Sequence, residues 1–321
     1  GRTSSFGSDI YPSFNVQNVD PRARKIIKAR PGFCLFSVDY SGMELGTLAQ
    51  TCLTLFGHSV LADKINGGVD AHAYLGAQLA YALDQNFCAL VDDADADMIF
   101  ETFKTLQEGT DAAKKLYKHY RTFAKPTGLG YPGGLGPKTF IAYAKATYQI
   151  TVDLETATQL REIWKATFPE MVEYFKYVSD NLKDPHNDGY YAFQSPYGMY
   201  RAGANYCPVC NGLGLQTPSS DGALTAVVNV VRACYDPSLE SILYGGSVRP
   251  IGFIHDELVG ELKDNESKNE MLDEIERLMV ESMKIITPDV QPRVSSVLMR
   301  SWEKDCPRNV VGGELAVTEN S

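Results

Sequence analysis

The chain has 321 residues, a length that allows one large domain or two interleaved ones. Its composition, 44% hydrophobic and 22% charged, is typical of a globular protein with a buried core and argues against disorder. The formal net charge of −10 argues against a uniformly cationic nucleic-acid coat, because phosphate neutralisation needs Lys and Arg. Basic residues do gather over residues 104–145, either as a local strip or as an ordinary solvated helix face.

No stretch approaches the roughly 20 apolar residues that a membrane span needs, and no charged-then-apolar leader opens the chain. The 7 cysteines are odd in number and scattered, which indicates reduced thiols rather than a disulfide framework. We therefore expect a soluble, intracellular protein with no membrane partner.

The hydrophobic pattern begins with a turn-rich, basic lead-in over residues 1–31. The apolar residues 33–38 then predict a buried strand that ends at Asp39, and helical spacing follows over 42–55. Further helical patterns lie over residues 71–83, 98–125, 139–146 and 154–168, with an acidic loop at 92–97 and a Gly- and Pro-rich stretch at 128–137.

The last third of the chain returns to β structure. We predict strands near 190–200, a helix at 220–234, a hairpin at 248–262, a helix at 267–286, a strand at 292–299 and a loose tail at 307–321. This order predicts an α+β fold in which a helical insertion interrupts an antiparallel-sheet domain.

Two aspartates, Asp39 and Asp256, stand at the ends of predicted strands. Carboxylates at such places are costly unless something pairs with them. If the strands lie side by side, the two carboxylates converge on a pair of hard cations, as in-line phosphoryl transfer requires, and Mg²⁺ is the natural ion. The alternative, that each aspartate only caps a turn, stays open.

Arg121 and Lys125 are spaced i, i+4 and therefore share one face of a predicted helix. A triphosphate could lie along this pair, and Leu129 would continue the face. The alternative is an ordinary solvated helix face.

Three segments resemble motifs A, B and C of family A DNA polymerases, in the family's order: residues 39–45, 121–130 and 253–258. Supporting similarities lie at residues 1–5, 15–18, 70–72, 216 with 221, and 301–303. The resemblance covers nearly the whole chain, and the ordered set is more specific than any single motif.

The resemblance implies an antiparallel-sheet palm interrupted by helical fingers, and a template-directed DNA polymerase that extends a primer 3′ end by a two-metal-ion mechanism. Asp39 and Asp256 would hold two Mg²⁺ ions with the backbone carbonyl of Tyr40, and Lys125 would give a proton to the leaving pyrophosphate. Residues implied to contact the incoming dNTP are Arg121, Lys125, Leu129, Glu44 and His72. Glu44 resembles the steric gate that excludes a ribose 2′-hydroxyl.

Primer-template DNA is the second implied partner. The positions that resemble DNA contacts in the family are Arg2, Asn15, Gln17, Gln216, His255 and Glu257, the last being the weaker third acid of motif C.

The chain departs from the family at several places. Leu129 and Gly133 stand where aromatic residues are usual, and Gly42 replaces a usual Gln. Pro126 removes an amide donor, at about 3 kcal/mol inside a regular helix, so we predict that the helix kinks or ends there and that a loop follows.

Cys207 and Cys210 fit the spacing Cys-x-x-Cys-x-Gly-x-Gly of chaperone zinc modules. One pair supplies only half of a tetrahedral site, and Cys234 or His186 would have to complete it. We expect two ordinary thiols rather than a structural zinc. The segment also places Asn211 five residues before Gln216, where the family has four.

The resemblance divides the chain into a first palm part (1–66), helical fingers (67–185), a second palm part (186–306) and a flexible tail (307–321). Thumb and exonuclease regions lie upstream in the family, so we expect a fragment or a divided polymerase whose thumb and exonuclease are on a separate or missing polypeptide. Such a polymerase fits a virus or phage, acting in the cytoplasm or the nucleoid of an infected host cell. A single-subunit RNA polymerase, against which Glu44 speaks, and a catalytically inactive DNA-binding or assembly palm remain as alternatives.

Overall fold

The computed structural model describes residues 19–196, 198–303 and 306–320. The chain divides into two compact units. Unit 1 is Gly1–Met43, Ser219–Pro288 and Pro292–Ser321, and unit 2 is Glu44–Pro218 with Asp289–Gln291. The functional division at residues 66, 185 and 306 stays a prediction.

The strands within the described residues are β1 (Phe33–Tyr40), β2 (Tyr191–Gln194), β3 (Tyr200–Ala204), β4 (Val248–Ile254), β5 (Glu257–Lys263), β6 (Val294–Met299), β7 (Val310–Val311), β8 (Glu314–Leu315) and β9 (Val317–Thr318). The helices of the same part of the chain are α1 (Pro21–Arg24), α2 (Met43–Phe56), α3 (Val60–Asn66), α4 (Ala71–Leu83), α5 (Gln85–Cys88), α6 (Ala96–Thr105), α7 (Asp111–Gly130), α8 (Pro137–Tyr148), α9 (Leu154–Thr167), α10 (Glu170–Asn181), α11 (Tyr206–Asn211), α12 (Thr217–Tyr235) and α13 (Lys268–Ile286). The fold is therefore mixed α+β, as predicted.

Unit 1 contains a sheet in the order β4-β5-β1-β6-β9. Strand β1 pairs antiparallel with β5 and β6, β4 pairs antiparallel with β5, and β9 lies parallel to β6. Glycine is needed at position 260, because a Cβ there would lie 2.5 Å from the Phe36 ring and 2.6 Å from the Arg249 carbonyl. This close approach fixes β5 against both of its neighbours.

The alternation of side chains along β1 divides the core of unit 1. Phe36, Val38 and Tyr40 are buried in one cluster with residues of α12 and α13. Leu35 belongs to a second cluster that includes Trp302. Because Asp39 is an even number of residues from Leu35, it shares the face of this second cluster, at the end of the strand.

Unit 2 packs its helices around large buried side chains such as Trp164 and Tyr174. Helices α4 and α7 approach closely at Gly76, where a Cβ would lie 3.1 Å from the backbone of Arg121. A larger residue at Gly76 would push the helices apart, since backbone atoms cannot rotate away. The contact holds Arg121 beside the beginning of α4.

The expected end of the helix at Pro126 is wrong, because α7 continues through this proline to Gly130. Ala124, Pro126, Thr127 and Gly128 are all buried there. The helix packs against α4 and α8, and such tertiary burial outweighs a local penalty of about 3 kcal/mol. A 3₁₀ turn, Tyr131–Gly133, follows before α8 begins.

Two further expectations need correction. The helical pattern over 98–125 is broken between α6 and α7, where the Thr110 hydroxyl caps α7 by accepting a hydrogen bond from the Ala113 N–H. The expected loose tail over 307–321 instead carries short strands in its described part, and β9 joins the main sheet. Residues 317–318 form a strand because they pair with the edge of β6. Their own sequence carries no strong signal for a strand.

Candidate active site

The turn between β4 and β5 consists of His255 and Asp256. Ile254 pairs with Glu257 across this turn, and Asp39 of β1 pairs with the same Glu257. The Tyr40 N–H donates a hydrogen bond to the Asp256 carbonyl at 3.3 Å. The strand register therefore brings Asp39 and Asp256, which are far apart in sequence, to the same end of the sheet.

His255 has a φ of 60°, which lies in the left-handed region that favours glycine. A positive φ at the first residue of a two-residue hairpin turn suits the twist of the paired strands. The strained turn leaves the imidazole exposed beside Asp256.

The carboxyl groups of Asp39 and Asp256 are close enough to share a hydrogen bond. Burial, together with the negative charges of Asp256 and Glu257, raises the pKa of Asp39 to about 7. Because Asp39 is exposed to solvent, repulsion by the charges of Asp256 and Glu257 is the better-supported cause of its raised pKa. Two carboxylates in such proximity are an arrangement that a hard cation stabilises.

The residues present fit a Mg²⁺ site. Mg²⁺ is commonly bound through one or two carboxylates together with substrate phosphates and water. The Tyr40 side chain is anchored in the core, where its hydroxyl donates to the Met279 carbonyl at 2.7 Å. Its backbone therefore stays at the strand end beside Asp39. Within the described residues, no group of three or more His, Cys, Asp or Glu forms a metal cluster.

Unit 2 holds the cationic residues. Asp70 is the N-cap of α4 and accepts hydrogen bonds from the His72 and Ala73 N–H groups at 2.9 and 3.1 Å. Its other oxygen accepts from the Arg121 guanidinium at 2.8 and 2.6 Å. Desolvation raises the pKa of Asp70, but the hydrogen bond and charge of Arg121 outweigh it and leave this pKa lowered. Asp70 thus orients Arg121.

His72 lies between these groups and the core of unit 2. Burial, assisted by the charges of Arg121 and Lys125, lowers the pKa of His72 to about 4 against the opposing charge of Asp70. The imidazole is therefore neutral at pH 7. Its buried Nδ1 makes no hydrogen bond within the described residues, and a Cβ at Gly128 would lie 3.6 Å from it.

No protein-family profile matches the chain. DNA polymerase I of Aquifex aeolicus (strain VF5) is 24% identical over 298 residues, which are 93% of this chain and 44% of that protein. Over nearly its whole length the chain is therefore similar to DNA polymerase I.

A solved structure shares the fold of this chain. The POL domain of Pol1 from M. smegmatis, in complex with a DNA primer-template and dNTP, matches with a TM-score of 0.59 at 22% identity. The match covers 90% of this chain and 44% of that one. The chain thus spans less than half the length of both proteins.

The structure brings Arg121, Lys125 and His72 together on neighbouring helices, as the polymerase resemblance implies for nucleotide contacts. Leu129, in contrast, packs against the core cluster of unit 2 and is only partly exposed. Glu44 lies in the first turn of α2 and is half-buried, and its carbonyl accepts a hydrogen bond from Thr47. The roles of these residues stay predictions.

The five-residue spacing between Asn211 and Gln216 coincides with an irregular helical turn. Residues Gly212–Gln216 form a π-helical turn between α11 and α12. A π turn holds about one residue more than an α turn, so residues at i and i+5 lie on the same side. Asn211 packs beside Gly133, whose added Cβ would lie 3.7 Å away. The π turn therefore accommodates the extra residue and keeps Gln216 on the same side of the helix as Asn211.

Arg2, Asn15 and Gln17 lie outside the described residues. The Cys207 thiol donates to the Gly134 carbonyl at 3.2 Å, and the Cys210 thiol is buried. Burial raises the pKa of both thiols. Among the described helices, none is long and apolar enough to cross a membrane.

Sequence reasoning missed the residues that hold Glu257. The Ser37 hydroxyl donates to Glu257 Oε1 at 2.6 Å, the Trp302 indole lies 3.5 Å from the same oxygen, and Arg24 lies 3.8 Å from Oε2. Trp302 stands in the similarity at residues 301–303, which could have drawn attention to it. Nothing local distinguishes Arg24 from the other basic residues of the lead-in.

Proposed function

We propose that this chain is the catalytic portion of a template-directed DNA polymerase that transfers deoxynucleotides to a primer 3′ end. The observation that carries the proposal is the pair Asp39 and Asp256, held together by the β1–β5 register and the β4–β5 turn. The similarity to DNA polymerase I over 93% of the chain supports it.

Two Mg²⁺ ions at this pair would stabilise the charge on the entering and leaving oxygens of the displacement. Asp39 and Asp256 would supply the carboxylates, and the Tyr40 carbonyl would supply a further oxygen. Because the sheet fixes both aspartates before any cation arrives, little reorganisation is needed at the moment of reaction.

Arg121, Lys125 and neutral His72 bind the incoming triphosphate. Arg121 is held by Asp70, so a phosphate would share or replace that carboxylate as its partner. Lys125, one turn further along α7, gives a proton to the leaving pyrophosphate. Glu44 excludes the ribose 2′-hydroxyl by occupying its space. Leu129 takes the place of an aromatic residue beside the nucleotide.

Primer-template DNA is the second substrate. His255 contacts the primer end, while Gln216, together with Arg2, Asn15 and Gln17, contacts the duplex. Because phosphate contacts supply much of the affinity for DNA, a separate or missing polypeptide that carries the thumb would raise affinity and processivity.

The test is primer extension on a DNA template with Mg²⁺, with dNTPs and rNTPs compared side by side. We expect extension with dNTPs, and a loss of about three orders of magnitude for Asp256→Asn and for Asp39→Asn, since each removes a charge from the metal pair. Asp273→Asn is the matched control, because Asp273 is an exposed carboxylate on α13 of the same unit.

Extension that survives Asp256→Asn would contradict the proposed role of the aspartate pair. Extension with rNTPs in preference to dNTPs would instead identify an RNA polymerase. Absence of extension at low salt, even with excess chain, would favour a catalytically inactive palm.

A further inference from the structure

The basic lead-in of unit 1 lies against the segment that follows β6. The Ala29 N–H donates to the Arg300 carbonyl at 2.9 Å, and the Trp302 N–H donates to the Ile27 carbonyl at 2.9 Å. Lys28 and Ser301 form a β-bridge between these contacts. We call residues 24–30 the basic arm.

The basic arm pairs its cations with acidic residues of unit 1. Arg30 lies 2.6 Å from Glu261, a buried residue of β5, and Lys25 lies 2.7 Å from Glu303. Arg24 faces Glu257, at the beginning of β5. The arm therefore offsets the charge of the strand that follows the Asp256 turn.

Arg24 is the most enclosed cation of the arm. It is 7% exposed, and its guanidinium lies 4.4 Å from the centroid of the Trp302 ring. A guanidinium over an indole face gains cation–π attraction when it is desolvated, as here. The Trp302 ring is itself buried, so it fixes where Arg24 can place its charge.

Glu257 is consequently held from both oxygens. Ser37 and Trp302 engage Oε1, while Arg24 lies on the side of Oε2. Ser37 precedes Asp39 by two residues on β1, and Glu257 directly follows Asp256. The cluster thus ties the strand that carries Asp39 to the residue next to Asp256.

We propose that Arg24 is a positioning residue for the aspartate pair, acting through Glu257. Without Arg24, Glu257 would keep its partners at Oε1 but lose the cation at Oε2, so the residue next to Asp256 would be less firmly held. We expect this loss of positioning to outweigh the attraction that the added negative charge has for a cation. Outer partners of metal ligands commonly contribute about 10–100-fold to metal affinity or activity. The inference rests on the proposed function, and it gives Glu257 a positioning role in place of the expected DNA contact.

The experiment compares Arg24→Gln, Arg24→Lys and the control Lys25→Gln. Lys25 belongs to the same arm and also makes an ion pair, but with Glu303 rather than Glu257. The first readout is binding of Mn²⁺, followed by electron paramagnetic resonance without nucleotide or DNA. We expect about 10-fold weaker binding for Arg24→Gln, recovery to within about 3-fold for Arg24→Lys, and no change for Lys25→Gln.

The second readout is the kinetics of primer extension. We expect the kcat of Arg24→Gln to fall about 10-fold with the KM for dNTP little changed, because Arg24 is buried against Trp302 and Glu257. Circular dichroism and thermal unfolding check that all variants are folded. Arg24→Lys keeps the positive charge, and it replaces Arg24→Gln in both measurements if Arg24→Gln does not fold.

A double-mutant cycle with Glu257→Gln tests the path of the effect. The Glu257→Gln variant keeps a side-chain oxygen for Ser37 but loses the negative charge, so adding Arg24→Gln in this background should weaken Mn²⁺ binding by less than about 3-fold. The proposal is overturned if Arg24→Gln weakens Mn²⁺ binding equally in the intact and Glu257→Gln backgrounds. It is also overturned if Arg24→Gln binds Mn²⁺ as tightly as Lys25→Gln does. If the intact chain binds Mn²⁺ but does not extend a primer, the proposed function fails while this test still stands.

Discussion

The two units of this chain build charged clusters in opposite ways. In unit 1, backbone pairing brings Asp39 and Asp256 together although their negative charges repel each other. In unit 2, Arg121 is neutralised by Asp70, which is itself fixed as the cap of α4. A strand end can therefore hold an unfavourable pair in place, while a helix face keeps its cation by a local ion pair.

The difference has a consequence for ligand binding. A cation that arrives at the aspartate pair relieves the repulsion between the two carboxylates. A phosphate that arrives at Arg121 competes with Asp70 or shares the guanidinium with it. We therefore expect the acidic cluster to be the more rigid of the two and the cationic cluster to be the more adjustable.

The largest expected effect in the cationic cluster comes from Arg121→Gln. Charge-assisted hydrogen bonds contribute roughly 1.5–3 kcal/mol, so kcat/KM for dNTP should fall about 10–100-fold in primer extension. Lys118→Gln is the matched control, because Lys118 is an exposed cation on the same helix. Equal kinetics for the two variants would mean that Arg121 serves only to hold Asp70.

An intermediate effect is expected from the neutral His72. The pKa of His72 is about 4 in the folded protein, whereas an unfolded histidine binds its proton near pH 6.5. Between these values the unfolded state binds more protons, so stability should fall as the pH is lowered from 6.5 to 4. The loss is on the order of 2 kcal/mol, after allowance for partial exposure.

Urea unfolding at pH 7 and pH 4.5 measures this loss. His72→Gln should remove part of the pH dependence, whereas His119→Gln, at an exposed position on α7, should leave it unchanged. Identical pH dependence in the intact chain and in His72→Gln would show that His72 is not held neutral by its surroundings.

The smallest effect is expected from deleting Leu213 in the π turn. The deletion restores a four-residue spacing between Asn211 and Gln216, which an α-helix accommodates on one side, so primer extension should stay within about 3-fold. Inserting one alanine after Leu213 is the opposite change. It should rotate Gln216 by about 100° around the helix axis and weaken DNA binding more than the deletion does. Greater damage from the deletion would mean that Leu213 packing, rather than the register of Gln216, determines this turn.

The local part of both clusters could be predicted from the sequence. The apolar run 33–38 followed by Asp39 indicates a strand with a carboxylate at its end, and the sequence also predicts the hairpin at 248–262 that carries Asp256. The i, i+4 spacing of Arg121 and Lys125 placed both cations on one helix. These features repeat every two or 3.6 residues, so a short window contains them.

The tertiary structure alone decided which of these features meet and which local rules are overridden. The meeting of Asp39 with Asp256 depends on β1 pairing with β5, and the helix runs through Pro126 because burial of its neighbours outweighs the loss of one hydrogen bond. The Arg24–Glu257 contact joins residues from the first and last parts of the chain. Such contacts depend on the summed burial of distant segments, a quantity that no local pattern in the sequence carries.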